Sequence, residues 1–266
     1  GEKRAVRRKQ TKTGRAKNNM NNFKVLKDKI AQAPEEAGVY LMKDKANRVI
    51  YVGKAKSLKK RLMNYLGRGL ATKTMALMRN LRDVEYKTCP NESLALLLEA
   101  GLIRKHRPKY NVSLRYDKSF PYVKITQEEF PAIYITRKKE DNGARYLGPY
   151  TNVKLLKSAL KIIRRSFPYR SCRVLPRKAC IYYRLDLSPA PCIEKISRQA
   201  YARTINSIKL ILEGKTDALI QRLSKDMELK SRSLDFEAAA SIRDQINALG
   251  AINQANEGLS SHDELK

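Results

Sequence analysis

The order of apolar and polar positions divides the chain into a mixed α and β part and a helical part. Runs rich in Val, Ile, Leu and Tyr at residues 38–42 and 49–52 flank a polar stretch, and this pattern predicts a β-hairpin. The apolar spacing then becomes helical, with one further strand inserted. These predicted elements are helices at 58–65, 74–82 and 92–105 and a strand at 84–88.

The middle of the chain repeats this mixture and then loses its regular pattern. Residues 120–126 and 132–136 predict a second pair of strands, and residues 153–166 predict an amphipathic helix. Pro and Arg are frequent over residues 171–192, which contain three of the four cysteines. This composition predicts an irregular connection.

The last third of the chain is helical in pattern. Apolar residues keep helical spacing over 208–227 and again over 236–249, and a break at 233–235 predicts an antiparallel two-helix hairpin. The chain is thus predicted to be α+β, with a short sheet flanked by helices, an irregular cysteine region and a C-terminal helical hairpin. The predicted units are a basic disordered tail (1–22), an α+β domain (23–116), a middle region (117–196), the hairpin (197–252) and a polar tail (253–266).

Charge narrows the class of partner. Lys and Arg total 56 against 26 Asp and Glu, a formal net charge of +30. So positive a surface favours a polyanionic partner, and nucleic acid is favoured over a membrane because no apolar run of about 18 residues is present. The sequence shows no secretory signal, so we expect a cytoplasmic protein, associated with the nucleoid when bound to DNA. A nucleic-acid binder without catalytic activity stays open at this point.

Glu99 is the most informative residue for chemistry. On the predicted helix, the residues three and four positions away are all apolar, so its carboxylate projects from an apolar face. The alternative is a residue at the edge of that face that reaches solvent. These neighbours are Ala95, Leu96, Leu102 and Ile103.

Other side chains could join Glu99. Arg61 and Tyr65 share one helix face, and Tyr40 and Tyr51 of the hairpin could point into one cleft. Spacing alone favours ordinary packing for Tyr40 and Tyr51, because tyrosine is a common strand residue. With only two histidines in the chain, acid–base catalysis by histidine is improbable.

The motif Gly38-Val39-Tyr40, followed by Tyr51-Val52-Gly53, resembles the paired signature of the GIY-YIG nucleases. The surrounding residues are similar to the version carried by the UvrC family of excision-repair nucleases. Their order and spacing are specific, although each piece alone is weak. The further matching stretches are residues 58–62, 96–99, 105–111, 120–122, 145–150 and 180–183.

This resemblance implies a role for each site residue. Glu99 corresponds to the single acidic ligand of a Mg²⁺ or Mn²⁺ ion, and Arg61 to the arginine that stabilises charge on the scissile phosphate. Tyr51 is predicted to help activate the attacking water, because a tyrosine near a metal ion and Lys54 is expected to have a lowered pKa. The remaining residues implied to line or complete the site are Tyr40, Tyr65, Lys54 and Asn111. The nuclease interpretation requires that Glu99 share a cavity with Tyr40, Tyr51 and Arg61.

The same family resemblance raises the question of a [4Fe–4S] cluster. Cys172, Cys180 and Cys192 match three of four cluster cysteines, but Ser188 stands where the remaining cysteine is expected. Serine is a poor iron ligand, so we expect an incomplete ligand set. Cys89 lies far away in sequence and is not a substitute.

The C-terminal hairpin resembles the UVR motif, which implies docking on UvrB. Phe236 is the predicted anchor, because a rigid aromatic gives a large contact area for each residue ordered. Packing of Phe236 within the chain is the alternative.

Together these similarities imply an endonuclease of nucleotide excision repair, part of the SOS response, that acts on damaged double-stranded DNA with UvrB and cuts 3′ to the lesion. A catalytically silent adaptor for DNA and UvrB is the second interpretation. A mobile-element GIY-YIG nuclease is a third, and the UVR-like hairpin disfavours it.

Overall fold

A computed structural model describes residues 24–67, 69–114 and 120–257 of the protein. The predicted basic tail (1–22) lies outside them, as do residues 258–266 of the predicted polar tail. In chain order the elements are α1 (24–31), β1 (Gly38–Lys43), β2 (Val49–Ala55), α2 (Leu58–Asn64), α3 (Thr72–Asn80), β3 (Asp83–Thr88), α4 (Glu92–His106), β4 (Tyr122–Ile125), β5 (Ile133–Thr136), β6 (Arg145–Leu147), α5 (Val153–Ser166), α6 (Ile181–Arg184), α7 (Arg198–Leu212), α8 (Thr216–Arg232) and α9 (Phe236–Glu257), with 3₁₀ helices at Lys109–Leu114 and Pro191–Ile193. The predicted α+β class is confirmed.

The first sheet is antiparallel and has the strand order β2-β1-β3, so β2 is an edge strand. One face of the sheet packs on α4, and the other packs on α1, α2 and α3. Ser57 and Asn91 begin α2 and α4 as N-caps, because each side chain accepts a hydrogen bond from the backbone of the first turn.

Helix α4 is buried on nearly every side because two hydrophobic cores share it. Ala95, Leu98 and Leu102 face the first sheet, whereas Leu94 and Leu97 join a larger core. That core also contains the second sheet (order β5-β4-β6), α5, α7 and the C-terminal helices. The α+β domain and the middle region therefore meet along α4.

The helical third differs from the prediction, because the pattern over 208–227 is not one helix. Helix α7 ends at Leu212, and Gly214 adopts φ +75° before α8 begins. A Cβ on Gly101 of α4 would lie 3.3 Å from the Gly214 Cα, so the two backbones are in close contact. Tyr201 of α7 donates a 2.7 Å hydrogen bond to the Pro131 carbonyl, which places α7 with the middle region. The antiparallel hairpin itself consists of α8 and α9.

The cysteine region is fixed to α5 by Arg164. The Arg164 guanidinium donates 2.7 Å hydrogen bonds to the carbonyls of Leu187 and Tyr169, and it lies 4.1 Å from the Tyr182 ring centroid. The three cysteines there are free thiols, and Ser188 is buried. Three thiols and a serine hydroxyl do not fit a cluster that needs four thiolates.

No helix in the described part of the chain is both long enough and apolar enough to cross a bilayer.

Candidate active site

The two motif glycines make room for the site. A Cβ on Gly53 of β2 would lie 2.5 Å from the Tyr40 hydroxyl oxygen and 3.0 Å from the Tyr51 ring. A Cβ on Gly38 of β1 would lie 2.1 Å from the Lys87 carbonyl oxygen on the neighbouring strand. Gly53 thus allows the tyrosine rings to pack against β2, and Gly38 allows β1 to pair with β3.

Three tyrosines and Arg61 form one hydrogen-bonded group. The hydroxyls of Tyr40 and Tyr65 are 2.8 Å apart, and the Arg61 Nε donates to the Tyr40 hydroxyl at 3.3 Å. Tyr51 lies beside them, with ring centroids of Tyr40 and Tyr51 6.1 Å apart and a hydrogen bond between the side chains of Tyr51 and Tyr65. Helix α2 supplies Arg61 and Tyr65 at its C-terminal end, which explains why residues four apart act together.

Glu99 is buried on α4, with only 8% of its surface exposed. Its Oε1 accepts a 3.0 Å hydrogen bond from the Lys54 backbone N–H, and its carboxylate also takes a hydrogen bond from the Thr151 side chain. Burial raises the pKa of Glu99 to about 7, and the nearby Lys54, Thr151 and Arg61 offset part of that effect. An incompletely compensated buried carboxylate is suited to a cationic ligand.

These side chains meet at one cavity of about 400 Å³. Of the residues predicted from sequence, five line its wall: Tyr51, Arg61, Tyr65, Glu99 and Asn111. Thr151 and Lys73 line it as well and were not predicted. Glu99 therefore shares a cavity with Arg61, Tyr51 and Tyr65.

The other two predicted residues, Tyr40 and Lys54, do not line the cavity. Tyr40 is fully buried and reaches Arg61 and Tyr65 through its hydroxyl. The Lys54 ammonium pairs with Glu92 at 2.7 Å, so its contact with Glu99 is made by the backbone.

Asn111 uses its side chain to hold the edge strand. Its carboxamide accepts from the Val52 N–H and donates to the Val52 carbonyl, both at 2.8 Å. This pair of hydrogen bonds fastens the 3₁₀ helix Lys109–Leu114 to β2 and closes one side of the cavity.

The protein groups alone do not lower the pKa of the tyrosines, so the lowering predicted beside a metal ion stays a prediction. Burial raises the pKa of Tyr40 and Tyr51, and the neighbouring phenols raise it further. Arg61 acts in the opposite direction but does not compensate for burial. The site therefore holds both phenols protonated at neutral pH.

Elsewhere in the described residues, no group of three or more His, Cys, Asp or Glu side chains could hold a metal ion. Cys172, Cys180 and Cys192 therefore do not form such a group. The Cys192 thiol donates to the Lys178 carbonyl at 3.5 Å.

The fold and this cavity define a GIY-YIG domain, and the family models agree. Residues 36–112 match the UvrC-like GIY-YIG domain, residues 120–210 match the middle domain of the UvrC/Cho excinucleases, and residues 217–252 match the UvrB/UvrC motif. The chain belongs to the UvrC family.

Relatives named UvrABC system protein C match most of the chain. The protein of Moorella thermoacetica is 42% identical over 229 residues, which is 84% of this chain and 37% of the relative. That of Clostridium novyi is 42% identical over 240 residues, 87% of this chain and 39% of the relative. The chain thus spans well under half the length of these curated relatives.

Among solved structures, the chain is similar to the GIY-YIG N-terminal endonuclease domain of UvrC from Thermotoga maritima bound to magnesium, its catalytic divalent cation. The identity is 45%, the match covers 33% of this chain and 96% of that domain, and the TM-score is 0.31.

Proposed function

We propose that the chain is a metal-dependent DNA endonuclease of nucleotide excision repair, which hydrolyses a phosphodiester 3′ to a lesion in complex with UvrB. The observation that carries this proposal is the buried Glu99 carboxylate, which shares one cavity with the Arg61 guanidinium and two phenols. Phosphodiester hydrolysis needs a positioned water, positive charge at phosphorus and support for the departing oxygen. The cavity brings together groups for each need.

Arg61 is the group suited to the phosphate. It is exposed at the cavity and donates through Nε to Tyr40, so its orientation is fixed by a buried partner. A guanidinium offers several N–H donors in one plane, and these match the oxygens of a phosphate. The charge on phosphorus would therefore be stabilised in a preset geometry.

The tyrosines are suited to positioning water. Tyr51 and Tyr65 line the cavity, and their hydroxyls belong to the same hydrogen-bonded group. Because burial keeps Tyr51 protonated, its hydroxyl acts first as a hydrogen-bond partner that orients the attacking water. It takes the proton of that water only if bound positive charge lowers its pKa.

Glu99 is the group suited to a divalent cation, as the only carboxylate among the described residues that line this cavity. Mg²⁺ and Mn²⁺ prefer oxygen ligands and keep several waters, so one carboxylate is a sufficient anchor. Such an ion would supply positive charge at the departing oxygen. Lys54 and Thr151 hold the carboxylate in place through their hydrogen bonds.

The exposed end of the hairpin is suited to the protein partner. Phe236 is 63% exposed, and Leu229 and Leu234 are exposed at 62% and 73%. Phe236 is therefore not packed inside the chain. Asp235 begins α9 as a cap and pairs with Lys230 at 2.8 Å, so the turn that presents these side chains is ordered. We assign this apolar patch to UvrB docking.

The test is incision of a lesion-bearing duplex with UvrB, ATP and Mg²⁺, with both ends of each strand labelled. We expect one cut 3′ to the lesion, lost in Glu99→Ala and Arg61→Ala while DNA binding is retained. Lys60→Ala is the matched control, because Lys60 is an exposed cation on the same helix and does not line the cavity. Binding to DNA and UvrB with no cut by the unsubstituted chain would instead establish the silent adaptor.

A further inference from the structure

The second sheet has one apolar face and one face that carries tyrosines and a lysine. Val123, Ile125, Ile133 and Leu147 point into the large core. Strand register places Lys124 opposite Tyr134 on one neighbour and opposite Tyr146 on the other. Side chains alternate along a strand, so these three residues and Tyr122 share the opposite face. We call these four residues the tyrosine face.

Cations accompany the rings of the tyrosine face. The Lys124 ammonium lies 5.8 Å from the Tyr134 ring centroid and 5.7 Å from that of Tyr146. The Arg173 guanidinium lies 5.5 Å from the Tyr134 centroid, and the Lys139 ammonium lies 4.2 Å from the Tyr122 centroid. Aromatic rings interleaved with cations suit a ligand that has both flat faces and negative charge.

The charges are not all equally available. Lys124 pairs with Glu140 at 2.5 Å, and that carboxylate also accepts from Asn142. Contact with an anion therefore falls to the exposed Lys139 and to Arg173 rather than to Lys124. Tyr134 and Tyr146 are half-buried, so part of each ring is accessible, whereas Tyr122 is buried.

The tyrosine face lies close to the cavity along the chain. Tyr146 is on β6, an edge strand of the second sheet, and Thr151 five residues later hydrogen-bonds to Glu99. Five residues of extended chain span at most about 18 Å, which is a few nucleotides of single-stranded DNA. One strand could reach both places.

We propose that the tyrosine face binds unpaired DNA, with bases stacked on Tyr134 and Tyr146 and phosphates held by Lys139 and Arg173. Stacking requires bases whose faces are open, and a duplex offers only its backbone and groove edges. Sheets use surface aromatics in this way when they bind single strands. The binding does not depend on phosphodiester cleavage, so it stands or falls separately from the endonuclease proposal.

The experiment measures fluorescence anisotropy of a labelled twelve-nucleotide oligothymidine with the full chain, in EDTA so that no cutting occurs. We expect Tyr134→Ala and Tyr146→Ala each to weaken binding by roughly tenfold, which is within the loss of affinity expected when one base no longer stacks. Tyr134→Phe keeps the ring and should bind as the unsubstituted chain does. Tyr183→Ala is the control, a half-buried tyrosine of the same region outside the second sheet.

Two results would overturn the inference. One is unchanged affinity of both alanine variants for the oligonucleotide. The other is equal weakening toward a duplex of the same length, which would show that the loss does not depend on unpaired bases.

A second measurement uses the unsubstituted chain, in case an alanine variant fails to fold. Photocrosslinking with an oligonucleotide containing 5-iododeoxyuridine should label peptides that contain Tyr134 or Tyr146. Crosslinks confined to other peptides would refute the proposed face.

Discussion

Substitution of Gly53 by alanine should greatly reduce the incision activity while the chain stays folded. The new methyl carbon would lie 2.5 Å from the Tyr40 Oη and 2.6 Å from its Cζ, whereas ordinary carbon contacts need about 3.5 Å. Tyr40 is fully buried, so its ring can only shift, by about 1 Å. A shift of that size exceeds what the 2.8 Å hydrogen bond to Tyr65 and the 3.3 Å bond from Arg61 tolerate.

The magnitudes follow from this displacement. Overpacking of a tight site costs about 1–3 kcal/mol, which lowers the melting temperature of a chain of this size by roughly 2–12 °C. Misplacement of a reacting group by about 1 Å costs on the order of 100-fold in rate. We therefore expect Gly53→Ala to stay folded in a thermal melt and to lose about 99% of incision in the UvrB-dependent assay.

A matched substitution tests the same reasoning. Gly67→Ala would place its methyl carbon 3.4 Å from the Asn64 carbonyl, an ordinary contact, and should change neither property. Incision by Gly53→Ala at the unsubstituted rate, with an unchanged melting temperature, would refute the claim that Gly53 sets the position of Tyr40.

Three further outcomes are expected. Because the pKa of Glu99 is raised from 4.5 to about 7, the folded chain holds that proton more tightly than the unfolded chain, and stability falls as the pH rises across this window. Glu99→Gln, measured by thermal melts in EDTA, should therefore stabilise the chain more at pH 8 than at pH 5, and equal shifts would contradict the raised pKa. Thr151→Val should raise the Mg²⁺ concentration needed for half-maximal incision, by roughly tenfold for one lost hydrogen bond to a charged group, and Thr151→Ser should restore it; an unchanged Mg²⁺ titration would remove Thr151 from the site. Phe236→Ala should weaken UvrB binding by at least about tenfold in calorimetry, whereas Leu185→Ala, an exposed apolar residue of the cysteine region, should not; equal affinities would argue against docking through the patch.

Local patterns predicted the elements that local forces determine. The amphipathic spacing over 153–166 gave both ends of α5, because Asn152 caps the first turn and the apolar stripe faces the core. The apolar surroundings of Glu99 indicated a buried carboxylate, and it is buried. Strand β6 has only three residues, too few for an alternating pattern to be readable, and it was missed.

Tertiary contacts decided what the sequence could not show. Helical spacing continues through residue 214, and only the left-handed turn at Gly214 against Gly101 separates α7 from α8. Thr151 is an exposed turn residue with no pattern around it, and its contact with Glu99 arises because α4 and α5 pack together. The raised tyrosine pKa depends on how deeply the rings are buried, which spacing does not report.

The close contact between Gly101 and Gly214 has a consequence for where a cut falls. Helix α4 holds Glu99, and the Gly214 turn leads directly into α8, so the helix that carries Glu99 touches the start of the hairpin without an intervening side chain. If UvrB binds at the turn between α8 and α9, then α4 and α8 together set the distance between the bound partner and the scissile bond. A bulky residue at either glycine would then change the distance between Glu99 and the bound partner, and with it the position of the cut.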